Sequence, residues 1–339
     1  MKCALINKNH FISTPAIVLF YMPLVFISLF ISCEQSVSPT GAHSEKYILY
    51  CAINCDTAFQ KAYLSGSYTS STYNPLDNTA DPSIEGAQIT LTVNGKSVYY
   101  MSEAEAPRSD TSRYTTPLKY YYLNNYKPEG LDSVEITATL PNGYVLKSSA
   151  IMLSSSGFFN ASQLNGIYCN PSLEDPVIMF WTMLDYKYYS SVYFYGRLDI
   201  LYYKADNPDV IYKARVPSYY YYKDGRQIAV YPALAKSAEF NFYSESIKSV
   251  LESISSGDAD KSNYVIKEAE HTLFIIDKNI GGYILADETF NGEFSVRIDA
   301  ADYTNIENGI GVFGAYCKRK CKVKFIRAYI SDFGYLTSY

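Results

Sequence analysis

Three dipeptides constrain this fold more than any other feature of the chain. Asn94-Gly95, Asn142-Gly143 and Asp224-Gly225 each stand between two strand-like runs. Asn, Asp and Gly tolerate the positive φ of a tight hairpin turn, so each dipeptide joins two antiparallel strands. The flanking runs carry Ile89, Leu91 and Val93 before the first turn, Val134, Ile136, Ala138 and Leu140 before the second, and Tyr219, Tyr220, Tyr221 and Tyr222 before the third. Tyrosine is a strand former with a polar tip, and the chain holds 36 of them. No strand–helix–strand rhythm runs through the sequence, which argues against a parallel nucleotide-binding sheet. The expected fold class is mainly β, with two antiparallel β-sandwich domains, the first of immunoglobulin or transthyretin type.

Residues 47–153 form the first expected domain and open on the alternation Tyr47, Leu49, Cys51, Ile53. Residues 154–166 (SSSGFFNASQLNG) read as a linker, and 167–339 as a second β-rich domain. Strands are expected there at 177–183, 191–203, 272–276, 293–299 and 322–330. One short amphipathic helix is expected at about 245–256, where Ile247, Val250, Leu251 and Ile254 follow helical spacing. Ser244 is its expected cap, and Gly257 its stop.

The amino terminus bears on location. Lys2 and Lys8 precede an uncharged run, Phe11 to Ser32, which ends directly before Cys33. This is the pattern of a bacterial lipoprotein signal. Residues 1–32 are the expected leader, Cys33 the lipidated residue, and 33–46 a polar tether. The run is also long enough to span a bilayer, so an uncleaved anchor is the alternative. Pro15 and Pro23 suit a removed leader better. Either way the body lies outside the cytoplasm and has the membrane as a partner. The chain carries 29 Lys and Arg against 34 Asp and Glu. This acidic balance argues against nucleic acid as a partner. A basic cluster at Lys318, Arg319, Lys320, Lys322, Lys324 and Arg327 reads as an edge strand guarded by lysines, with a docking patch for anionic lipid or an acidic partner as the alternative.

Five cysteines remain beyond the lipidated one: Cys51, Cys55, Cys169, Cys317 and Cys321. Two C-x3-C pairs occur, 51–55 and 317–321. Their spacing lies at the wide end for zinc and no third ligand cluster supports them, so no metal and no cofactor is expected. Cys51 and Cys55 read as core thiols or one local disulfide, and the pairing of all five stays open.

Residues 303–316 read YTNIENGIGVFGAY. With the early segment YILYCAINCD and the stretch GAQITLTVNG, they resemble a family of Bacteroidota outer-membrane lipoproteins known as domain of unknown function 4249. Asn305, Ile306, Gly309, Gly311, Phe313 and Gly314 match the family's closing motif, and Asn308 stands where the family more often has a glycine. The resemblance implies a lipid-anchored protein of the outer membrane, facing the periplasm or the cell surface. It implies no catalytic residue. On its own chemistry the motif reads as a structural turn, with glycines that let the backbone bend and pack closely.

The tyrosine runs supply the candidate binding surface. Neighbours in a strand face opposite ways, so a row of phenols is left outside the core. Tyr219, Tyr220, Tyr221 and Tyr222, with Trp181 and Tyr195, form the surface expected to stack on a glycan or a partner protein. The enzyme reading is thinner. His271 is the one imidazole of the folded body and reads as a strand-entry residue. The acid clusters Asp287-Glu288 and Asp299 with Asp302 read as surface acids, and no hydrolase, zinc-protease or phosphate-loop motif occurs. The expectation is a non-catalytic binding or accessory module, working beside an outer-membrane import receptor or on a glycan. A glycan or peptide hydrolase and an adhesin or structural envelope protein are the alternatives.

Overall fold

The computed structural model describes residues 45–67, 78–154, 158–159, 168–183, 192–290 and 303–339, the side chains of 158–159, 183 and 287–290 excepted. The leader, Cys33, most of the tether, most of the linker, the strand expected at 293–299, and Asp299 with Asp302 lie outside the described residues. So do the side chains of Asp287 and Glu288.

The chain is mainly β: among the described residues 51% lie in strands and 12% are helical. The first eight strands are β1 (Tyr47–Asn54), β2 (Gln60–Gly66), β3 (Gln88–Val93), β4 (Ser97–Tyr100), β5 (Ser102–Ala106), β6 (Leu118–Leu123), β7 (Ser133–Thr139) and β8 (Val145–Ile151). Next come β9 (Phe158–Phe159), β10 (Tyr168–Cys169), β11 (Val177–Phe180), β12 (Thr182–Met183), β13 (Tyr193–Lys204), β14 (Asn207–Val216), β15 (Tyr219–Lys223), β16 (Arg226–Val230) and β17 (Glu239–Phe242). The last are β18 (Tyr264–Ile276), β19 (Ile310–Phe325) and β20 (Leu336–Thr337).

Two sheets dominate. The larger runs β14-β13-β18-β19-β1-β2-β6-β5, with β10 beside β19 and β20 beside β18. The smaller is the antiparallel β4-β3-β7-β8. Leu49, Ile53, Leu64 and Phe313 from the first meet Ile89, Leu91, Ile136 and Leu146 from the second in one continuous core. The period-2 pattern accounts for this. In β1 every second side chain, Leu49, Cys51 and Ile53, is buried while its neighbours are not.

The larger sheet takes strands from both sides of 154–166. β1 lies parallel to β19, Ile48 opposite Ile310 through Asn54 opposite Tyr316. Residues Glu45–Tyr339 thus form a single unit. That sheet is mixed rather than purely antiparallel, because β10–β19 and β18–β20 are parallel as well.

All three expected hairpins form. Asp224 and Gly225 adopt φ of 50° and 73° between Lys223 and Arg226, the two-residue turn matched to strand twist. Asn94 and Gly95 take 51° and 66°. In the 140–144 turn only Gly143 is left-handed, at 83°.

Three helices are present among the described residues: α1 (Ser244–Ile254), α2 (Lys278–Phe290) and α3 (Arg327–Asp332). α1 buries Ile247, Val250, Leu251 and Ile254 as the spacing requires. Its N-cap is Tyr243 rather than Ser244, whose hydroxyl donates instead to the Glu174 carbonyl at 2.8 Å. The strand expected at 322–330 ends at Phe325 and gives way to α3. Tyr329 packs against Phe325 and Phe333, each four residues away, at 6.0 and 5.3 Å between ring centres. The Tyr329–Phe333 contact is the i, i+4 spacing of a helix.

No helix among the described residues is long and apolar enough to cross a membrane.

Candidate functional site: a tyrosine-lined cavity at the start of helix α1

β15 and β16 stand apart from both main sheets as a two-stranded ribbon. Backbone bonds root it. Ser218 N–H donates to Val230 O at 2.7 Å, and the Ser218 carbonyl accepts from Tyr243 N–H at 2.9 Å. The second bond sets the ribbon against the first turn of α1. Between them lies a cavity of about 520 Å³, lined by Tyr219, Tyr220, Tyr222, Tyr243, Gln227 and Glu245.

The rings are only partly covered. Tyr222 is 76% exposed and Tyr243 44%. Tyr219 and Tyr243 meet edge to face, 6.3 Å apart at 89°. Tyr220 is half-buried, and burial together with the neighbouring Tyr231 holds its hydroxyl above the usual phenol range. Aromatic walls thus stand beside one carboxylate and one amide. Such a site can stack a ring and bond its hydroxyls.

The other residues of the expected surface lie elsewhere. Tyr221 is exposed but is not among the residues lining the cavity. Tyr195 is half-buried on β13 beside Phe274, with ring centres 5.8 Å apart. Its hydroxyl accepts from Arg215, whose guanidinium lies 4.1 Å over the Tyr231 ring. Trp181 belongs to the core, 7% exposed, and its Nε1–H donates to His271 Nδ1 at 3.0 Å. It is not part of an exposed aromatic face.

His271 occupies the middle of β18, not the strand entry. Its ring packs among Trp181, Phe240 and Phe242. Burial drives its pKa down to about 3, so it is neutral.

The glycine motif serves the fold. Asn308 adopts φ 62°, the left-handed form expected of the residue in that place. Gly311 has φ 118°, and a Cβ there would fall 2.1 Å from the Leu49 carbonyl oxygen. Asn305 binds Phe313 twice, accepting from its N–H at 2.9 Å and donating to its carbonyl at 2.7 Å, as a neighbouring strand would. Asn279 also donates to that carbonyl, at 3.2 Å. A second cavity, about 600 Å³, borders this network at Ser148, Asp277 and Asn305. The side-chain oxygen or amide of each already has a partner here.

Sequence reading missed one carboxylate pair. Asp199 and Glu270 sit opposite each other on β13 and β18. Asp199 pairs with Arg197 at 2.8 Å, and Glu270 accepts from Lys320 at 2.9 Å and Lys213 at 3.1 Å. Burial pushes the Glu270 pKa up, but the two lysines outweigh it and hold the carboxyl below its usual range. Glu270 is therefore not set up as a proton donor. Lys322 likewise pairs with Glu268 at 2.7 Å. Lys320 and Lys322 therefore neutralise buried acids of the adjacent strand rather than guard an edge. Only the register shows this, so no linear motif signals it.

No family model matches this chain, and no curated protein matches it either.

Proposed function

We propose that this protein is a lipid-anchored, non-catalytic binding module of the bacterial outer membrane that takes a saccharide ring in the tyrosine-lined cavity. The cavity between Tyr219, Tyr222 and Tyr243 carries the reading, since exposed aromatic faces next to the Glu245 carboxylate and the Gln227 amide suit a hydroxyl-rich ring. The anchor rests on the leader pattern and Cys33, and the compartment on the resemblance to Bacteroidota lipoproteins. An import receptor of the same membrane is the partner that such a module would serve.

Two measurements test it. Calorimetric titration with a panel of envelope and dietary oligosaccharides should give saturable binding by at least one class, and binding at least ten-fold weaker by Tyr222→Ala combined with Tyr243→Ala. Fatty-acid labelling followed by fractionation should find the wild-type chain acylated and with the membrane, and the Cys33→Ala chain without acyl label. An unanchored wild type, or a panel without a single binder, would overturn the corresponding half.

A further inference from the structure

The two C-x3-C motifs do not close on themselves. They meet. β1 and β19 run parallel with Asn54 opposite Tyr316, and the next residues along are Cys55 and Cys317. The Cys55 N–H donates to the Tyr316 carbonyl at 2.9 Å. In a parallel ladder that bond places Cys55 directly across from Cys317.

Both side chains point the same way. Cys55 continues the inward series Leu49, Cys51, Ile53, and Cys317 continues the inward series Phe313, Ala315. Both belong to the central core, 4% and 0% exposed. Neighbouring strands lie ~4.8 Å apart, inside the ~4.4–6.8 Å between Cα atoms that a disulfide spans. Within each motif, by contrast, residues four apart along an extended strand are separated by about 13 Å, which no disulfide crosses.

We propose that Cys55 and Cys317 form a disulfide in the exported protein, joining the first strand of the body to its last long strand. The proposal rests on the export reading above. Both thiols lose a proton, one S–S bond forms, and two electrons pass to the disulfide of a thiol oxidant, which leaves as two thiols. In the reduced form described here, the Cys55 sulfur accepts a bond from the Leu153 N–H. Burial holds Cys55 at about 11 and Cys317 at about 12, so in the closed fold these thiols are inert. The bond therefore forms while the sheet is still open.

Peptide mapping tests the pairing without relying on export. The full chain is reduced, denatured and refolded in a glutathione redox buffer. Its free thiols are then alkylated, and it is digested without reductant. The expected product links residues 47–61 to residues 298–318, with fragment ions assigning the bond to Cys55. Refolding that leaves both cysteines alkylated, or that links Cys51 to Cys55 or Cys317 to Cys321, overturns the proposal. The Cys55→Ser chain controls for assignment and should lose that linked peptide completely. Protein drawn from native membranes with both thiols free would overturn the disulfide while leaving the anchor intact, whereas recovery from cytosol would count against export alone.

Discussion

Gly314 leaves the space that the Asp277 carboxyl group fills. A Cβ at Gly314 would lie 2.6 Å from Asp277 Oδ1 and 2.7 Å from Oδ2. That carboxyl caps α2, accepting from the Ile280 N–H at 2.9 Å, while the Asp277 N–H holds the Ala315 carbonyl at 3.0 Å. A strand glycine, a buried acid and a helix start are thus one device. Gly314→Ala is expected to destabilise the fold by about 1–3 kcal/mol, the usual cost of overpacking a closed site. Urea unfolding of the variant measures it, and an unchanged midpoint would contradict the packing described.

Asp277 also sets a pH dependence. Burial raises its pKa from 3.8 to about 6 against the backbone bonds that favour the charged form. The folded state therefore holds this proton more tightly than the unfolded chain does. Its contribution is fully present below about pH 4 and is lost as pH rises through 6. The linked change is on the order of 2–3 kcal/mol. Asp277→Asn keeps the cap and removes the titration. From pH 4 to 7 the wild type should lose about that much stability relative to Asp277→Asn, and a flat or opposite difference would contradict the raised pKa.

His271 works in the opposite direction. Its folded pKa is about 3 against 6.5 for the free imidazole, so the unfolded chain takes up the proton first. Stability from this group is present above pH 6.5 and falls on acidification, with a slope approaching about 1.4 kcal/mol per pH unit. Trp181 is the chain's one tryptophan and bonds to this imidazole, so its emission reports the transition. His271→Gln should shift the acid midpoint downward relative to its own neutral-pH stability. An identical acid profile in the variant would exclude the neutral buried histidine.

Glu270 holds two lysines and needs only one. Lys213 and Lys320 are 46% and 52% exposed, whereas Glu270 is 8% exposed. Removing either lysine, as Lys213→Met or Lys320→Met, should cost under about 1 kcal/mol because the other remains. The double variant leaves a buried carboxylate without a hydrogen-bonded cation and should cost about 2–3 kcal/mol more than the sum. Additive losses in this double-mutant cycle would show that the carboxylate does not depend on the pair.

The parts of the fold that were legible in the sequence are those governed by neighbours along the chain. The Asn-Gly and Asp-Gly turns, the alternation of Leu49, Cys51 and Ile53, and the apolar stripe of α1 each depend on a few consecutive residues. α2 escaped notice because Gly281 and Gly282 argue against a helix. The glycine at 281 is required by the Tyr193 ring, which a Cβ would meet at 2.2 Å. The parallel pairing of β1 with β19 joins segments at opposite ends of the body, and no local pattern encodes such a register. The same gap split the expected aromatic surface. Tyr219, Tyr220 and Tyr222 were found from their run, but Tyr243 comes to them only through the Ser218 bond, and Trp181 is drawn inward by His271.

The central claim is that the cavity between the ribbon and α1 binds a saccharide through its tyrosines. Isothermal titration of wild type, Tyr222→Ala, Tyr243→Ala and the double variant with the best oligosaccharide of the panel tests it most directly. Each ring is worth about 1 kcal/mol of stacking, so each single variant should bind roughly fivefold more weakly. The double variant should lose ten-fold or more while keeping the wild-type melting temperature. Equal affinity across all four proteins, with the fold intact, would contradict the account.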